Sequence, residues 1–555
     1  MNPTMMNLSD LIASLRAKSV NFSINGDKIS FDAPAGVISA DLLDQLRKHK
    51  SELLEYLMRT PQQEDVSLLP KTAPASAAQQ RMWFLNRVGN SSQYNIRSLF
   101  RLQGSFELAT FTDALNEIIC RHEILRTFFT WENEVLVQHI LPELSIPIIP
   151  HDAQHMDAVD RSDKVMEMAK VEADKPFDLE HAPLMRCSIF RLRPDEHLVH
   201  FTIHHIIADG WSMAVLIKEF VRTYAALMDT ASAPLPPLTL QYSDFVRWQR
   251  QWLTEKRVSD QLAYWSAQLN GAPPLLDLPT DRPRPAVSLK NGAIIEMSVP
   301  SDLDFSLDLY SKDERTTVFM VFATALKILF ARYTGQDDIC IGTTVAGRTR
   351  AEFEPLIGLF LNTIVLRTRV VLDKTFSEVL REVRTNALNA YSNQDVPFEQ
   401  VIEALNPARH PNHSPYFRVM LVLQNTPTAE LKLPGLSMSP VKLQEAFAKF
   451  DLTINVREEE GRRVVQFQYN ADLFDATTID RLGRHLIAVL RAAAAADPLP
   501  IHDIQILSHS ERHQLLAVFN DTAVPYPREH LLHQLFEEQA MRQPDGTAVV
   551  FEDQH

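Results

Sequence analysis

Cysteine is scarce in this chain. Of 555 residues only Cys120, Cys187 and Cys340 carry a thiol, and this odd, scattered set has no metal-ligand spacing. No metal site is expected, and such sparing use of cysteine fits a reducing, cytoplasmic setting. Basic runs are missing as well. The 55 Lys and Arg face 70 Asp and Glu, a formal net charge of -15, so nucleic acid and anionic membrane surfaces find no cluster of cations to bind. The N-terminus has no basic segment followed by an uninterrupted apolar core, which argues against a signal peptide. The most apolar helix candidate, Val318 to Tyr333, is interrupted by Thr324, Lys327 and Arg332, which argues against a membrane span.

What is present is a soluble, globular composition, 45% hydrophobic and 23% charged. The length exceeds one ordinary core and predicts about three or four units. Residues 1–59 read as a small one. Leu8, Leu11, Ile12 and Leu15 keep helical spacing. Phe22 and Ile24, then Ile29 and Phe31, alternate on either side of Asn25-Gly26, a hairpin signal. Ser39 opens a leucine-rich helical stretch. So small a unit suits binding better than catalysis. Residues 60–75 read as a linker, 76–240 and 241–505 as two lobes of mixed strands and helices, and 506–555 as the start of something further.

Chemistry concentrates in Ile203 to Ser212, IHHIIADGWS. His197 to Ile203 has the pattern of a buried strand and Met213 to Leu227 that of a helix, so the two histidines fall at a strand-to-helix junction. A neutral imidazole takes a proton or orients a nucleophile near neutral pH, a carboxylate holds local geometry, and glycine permits close approach. Acyl transfer is the chemistry these residue types suit. If the strand runs through both histidines, His204 and His205 point to opposite faces and only one can meet a substrate.

Six further strings accompany that motif in order: Ser76 to Leu85 (SAAQQRMWFL), Arg121 to Thr127 (RHEILRT), Tyr242 to Trp248 (YSDFVRW), Ile357 to Thr363 (IGLFLNT), Asn393 to Glu399 (NQDVPFE) and Ser414 to Met420 (SPYFRVM). Together they resemble the condensation domain of nonribosomal peptide synthetases. The resemblance implies an α/β (α+β) fold in which two chloramphenicol-acetyltransferase-like lobes form a V around a channel. It implies amide formation between a donor acyl or peptidyl thioester and an acceptor aminoacyl thioester, both delivered on 4'-phosphopantetheine arms of carrier proteins, with no cofactor bound directly. Residues 1–59 look like the helix-hairpin-helix docking domains that capture an upstream subunit. Leu531 to Asp553 resembles the opening of an adenylation domain, so the chain reads as a fragment ending in a truncated one.

Within the motif the resemblance gives the active role to His205 and a structural one to His204. Whether His205 is a general base or a positioning group stays open. Asp209 is expected to brace the loop, with Arg348 as its partner, and Gly210 to offer a backbone N–H to the tetrahedral oxyanion or simply to serve the turn. Trp211 is expected to pack in the core and Ser212 to cap the following helix. Arg81 and Asn362 belong to matched strings without an assigned catalytic role. The residues from Asp209 to Leu216, with Tyr94-Asn95-Ile96, look like the subtype joining an L-configured donor to an L-amino acid. An epimerisation-type relative and a catalytically silent carrier-binding platform are the alternatives. Heterocyclisation relatives carry aspartates in place of the histidines found here.

Overall fold

The computed structural model describes residues 21–25, 28–32 and 70–552, apart from 89–90, 158–159, 229–234, 274–275, 286–290, 408–414, 425–431, 434, 442–446, 460 and 496–498. Near the N-terminus Asn21–Asn25 pairs antiparallel with Lys28–Asp32, placing Phe22 opposite Phe31 and Ile24 opposite Ile29. The hairpin is therefore formed. The helices expected on either side of it lie outside the described residues.

The N-lobe is built on a six-stranded sheet ordered Lys432–Leu433, Leu436–Val441, Asn95–Gly104, Glu196–His204, Met185–Arg193 and Ile148–Asp152. The strand ending in the histidine motif is central and buried at every position. Both its neighbours pair antiparallel with it, Asn95 opposite His204 and Met185 opposite Ile203. A three-stranded sheet of Lys71–Pro74, Val135–Ile140 and Thr127–Glu132 flanks this lobe. The second six-stranded sheet carries Gly292–Ser298, Arg462–Asn470, Leu452–Glu459, Val419–Gln424, Asp338–Val345 and Asn362–Arg369. It forms the C-lobe.

The C-lobe core is organised by helix Val318–Thr334, buried on every residue from Phe319 to Ala331. A helix apolar all round belongs inside a protein. Thr317 caps its start by accepting the N–H of Met320 at 3.3 Å, and Gly335, at φ 70°, ends it in the left-handed conformation. Lys327, which broke the apolar run in the sequence, is fully buried here. Its ammonium donates to the Leu366 carbonyl and the Thr368 hydroxyl, each at 2.8 Å, joining the helix to a strand.

Segments pass across the boundary read at 240/241. Tyr242, Phe245, Phe353 and Phe360 pack with the N-lobe core, and Leu436 and Met438 join them. The segment Leu436–Val441 leaves the C-lobe to pair antiparallel with Asn95–Gly104. Unpaired strand edges recruit partners by backbone hydrogen bonding, and this edge is filled by chain from the other lobe. Gly104 permits the entry: at φ +124°, a Cβ there would stand 2.3 Å from the Gly435 carbonyl oxygen.

Beyond Ile504, helix Leu532–Arg542 forms within the segment read as a new start, and residues 509–552 are almost wholly exposed. Among the described residues no single helix is long and apolar enough to cross a membrane.

Candidate active site

The strand Glu196–His204 delivers the two histidines to different surroundings. His204 is fully buried; its Nδ1 accepts the backbone N–H of Ile206 at 3.1 Å, and the Phe177 ring meets it edge-on. Burial, with the fields of His205 and Lys449 behind it, pulls its pKa down to about 3. His205 is partly exposed and stands on the wall of a cavity of about 440 Å³ between the lobes. Its backbone N–H donates to the Tyr94 carbonyl at 2.9 Å, fixing the turn out of the sheet. Desolvation first, then Lys449, lowers its pKa to about 4, while Asp209 works in the opposite direction. The imidazole is neutral at physiological pH.

Asp209, Arg348 and Ser212 form one buried cluster. Asp209 Oδ1 accepts the backbone N–H of Ser212 at 2.8 Å and Arg348 Nη2 at 3.2 Å, and Oδ2 accepts the N–H of Phe360 at 3.1 Å. Arg348 also donates to the carbonyls of Phe353 and Leu356 at 2.7 and 2.9 Å and lies over the Phe360 ring, 3.8 Å from its centroid. Burial pulls its guanidinium pKa down, opposed chiefly by the Asp209 carboxylate. The cluster ties the histidine loop of the N-lobe to residues 348–360 from later in the chain. Gly347 makes it possible: at φ +65°, a Cβ there would fall 2.0 Å from the Phe360 carbonyl oxygen.

Three details differ from the sequence reading. The helix runs Gly210–Met228, so Asp209 is its cap and Ser212 its third residue. The Ser212 hydroxyl instead lies 2.7 Å from Asp209 Oδ1 and 2.8 Å from the Gly358 carbonyl, either of which takes its one proton, and it accepts Arg348 Nη2 at 3.0 Å. Trp211 is not core: it is partly exposed, and its indole N–H donates to the Glu354 carbonyl at 3.0 Å. Gly210 serves no steric need of the turn. It is exposed, its φ is outside the left-handed region, and a Cβ would meet nothing within 4 Å. Its N–H lies in the first helical turn, where donors have no intrahelical acceptor.

Around this loop, Gln79 is buried and donates to the Ile206 carbonyl at 3.2 Å. Tyr242 donates to the Leu359 carbonyl at 2.7 Å, with its hydroxyl 3.0 Å from Ser76 Oγ. Asn362 is structural, donating to the carbonyls of Gln394 and Val396 and accepting the N–H of Phe398. Arg81 bridges to Glu399 at 2.7 Å across the cavity mouth. The roles of Gln79, Tyr242 and Lys449 were missed from sequence. Gln79 and Tyr242 lie in matched strings, but Lys449 lies in none.

The condensation-domain family profile matches residues 70–516. The chain belongs to that family. A TubC N-terminal docking domain matches residues 8–58. A linear gramicidin synthase of Brevibacillus parabrevis is 42% identical over 484 residues, 87% of this chain and 10% of its own length. Tyrocidine synthase 3 of the same organism is 36% identical over 508 residues, 91% of this chain and 7% of its own. The chain thus spans about a tenth or less of these relatives. Among solved structures, the X-domain from teicoplanin biosynthesis aligns with TM-score 0.70 and 29% identity, over 79% of this chain and 98% of that one. A four-domain nonribosomal peptide synthetase bound to AMP and glycine aligns in fold, with TM-score 0.76 and 23% identity over 86% of this chain and 37% of that one. Condensation domains of such synthetases form amide bonds.

Proposed function

We propose that this condensation domain joins a carrier-bound acyl or peptidyl thioester to a carrier-bound aminoacyl thioester, with His205 at the reacting centre. The observation that carries this is the division between the histidines: one lines the interlobe cavity, the other is buried behind it. The amine nitrogen attacks the donor carbonyl carbon, forming the C–N bond while the π pair moves to oxygen. Collapse breaks the C–S bond, and the departing thiolate takes up the proton the amine gives off. Burial and Lys449 lower the His205 pKa and keep the imidazole neutral, which suits accepting a hydrogen bond from the neutral amine and holding it on line. Gly210 offers an N–H to the oxyanion, and its missing side chain leaves the approach open.

The same reading extends to the partners. The 4'-phosphopantetheine arms of a donor and an acceptor carrier bring the substrates, the unit at 1–59 docks an upstream synthetase subunit, residues 76–240 and 241–505 supply the two lobes with the exchanges described above, and 506–555 leads into an adenylation domain. Both substrates are L-configured, on the resemblance of Asp209 to Leu216. A cytoplasmic setting fits them.

The experiment mixes the protein with one donor-loaded and one aminoacyl-loaded carrier and follows amide product by mass spectrometry. A second reading has one observation in its favour: an X-domain of this fold has been solved in complex with OxyB, a fold-mate engaged with a protein partner. Carrier binding without amide product would support that platform.

A further inference from the structure

Gly342 lies within the strand Asp338–Val345, between Val365 and Met420 of its two neighbours, and its φ is outside the left-handed region. The backbone there does not require glycine. Space does: a Cβ would stand 2.4 Å from Cε2 and 2.5 Å from Cδ2 of the Phe417 ring, so the ring rests directly on the strand. Phe417 in turn meets Phe398 and Phe450, with ring centroids 5.8 and 5.3 Å away. These three rings, with Ile402 and Met420, form an apolar stretch in the wall of the cavity that also holds His205. Thr344, two residues on and therefore on the same face of the strand as Gly342, lines that cavity too. The charged groups on the wall are engaged elsewhere: Arg81 with Glu399 at 2.7 Å, Asp395 with the Trp252 indole at 3.1 Å, and Lys449 beside the Tyr94 ring.

We propose that this wall is a side-chain pocket for an apolar group on one of the two substrates, and that Gly342 determines specificity by setting the pocket's depth through Phe417. The ligand's identity rests on the proposed function; the pocket does not. The strand backbone closes one side of the ring and the cavity opens the other, so a methyl group at 342 drives the ring inward and takes up room. The pocket shortens. Apolar atoms leaving water for this wall gain free energy with each buried methylene, whereas a charged side chain would lose its hydration there with no counter-charge to meet it. The class it takes is therefore a branched, aromatic or short linear hydrocarbon group, and the class it excludes is charged.

Two readouts test this. Isothermal titration calorimetry with S-hexanoyl- and S-acetyl-N-acetylcysteamine needs no carrier: the wild type should bind the hexanoyl thioester about tenfold more tightly, and Gly342→Ala should cut that preference to about twofold. Ile402→Phe, at a half-buried position, fills the same space without crowding the strand and should do likewise even where Gly342→Ala fails to fold. The carrier assay has two arms, one pairing an acetyl donor with alanyl or phenylalanyl acceptors, the other pairing an alanyl acceptor with acetyl or hexanoyl donors. Gly342→Ala should slow the larger partner about tenfold more than the smaller in one arm only, and that arm names the substrate the pocket serves. No hexanoyl preference in the wild type, or one that both variants keep, overturns the pocket. So does a change of rate that ignores size in both arms, the mark of a structural role, or a graded loss in both, that of a channel narrowed throughout. A hexanoyl preference lost in Gly342→Ala, from a wild type that makes no amide, would uphold the pocket and defeat the condensation reading instead.

Discussion

At the scale of single residues, the two histidines part where the strand ends. Glu196–His204 stops at His204 and His205 begins the turn out of the sheet, so one side chain meets the core and the other the cavity. The expectation of two faces supposed a strand running through both, and the pairing of Asp209 with Arg348 came from the resemblance. Lys449 was not legible in the sequence: its place on the same cavity wall as His205 joins positions 244 residues apart in number and follows no spacing rule. Three predictions belong here. His200, His204 and His205 have folded pKa values of about 4, 3 and 4, below the ordinary 6.5. The unfolded chain therefore takes up protons first as pH falls, so stability is full above 6.5 and drains away from there towards about 3. Melting temperatures should drop across that window, while the amide-forming rate should show no His205 acid limb near 6.5. Asp209→Ala leaves the Arg348 guanidinium buried without its counter-charge and should cost about 3–5 kcal/mol, seen as a lowered melting temperature together with lost turnover. Gly210→Ala keeps its N–H and its Cβ meets nothing, so it should melt like the wild type, and turnover should fall only as far as the methyl group obstructs the approach of substrate.

At the scale of elements, the strands and helices flanking the motif were readable from periodicity, and only their ends moved. The crossing of Leu436–Val441 into the N-lobe sheet was not readable, because alternation marks a strand without naming the sheet that takes it. Lys327 was noticed as a break in an apolar run, and its partners on the neighbouring strands explain its place there. Burial lowers its pKa to about 7 from 10.5. Above pH 7 the unfolded chain holds a proton that the folded one releases, so this group's contribution makes stability rise with pH. Lys327→Met should flatten that rise between pH 7 and 8.5, measured as the change in melting temperature against the wild type.

At the scale of the whole molecule, two cores are joined by shared segments instead of a single hinge. The Asp209–Arg348 cluster, the Trp211 indole, Tyr242 and the crossing strand all link chain from one half to the other around the histidine loop. Such links fix the cavity's walls relative to His205, which positioning chemistry requires. The two-lobed plan came from the resemblance; its interlocking came from geometry, since partners 117 or more residues apart leave no periodic trace. Amide formation between two loaded carriers, timed by mass spectrometry in wild type and His205→Ala with folding checked by melting, settles whether this loop is the reacting centre. The wild type should release the amide, and His205→Ala should slow by about 10²-fold while melting normally. Product at the wild-type rate from His205→Ala, or none from the wild type with both carriers bound, would contradict it.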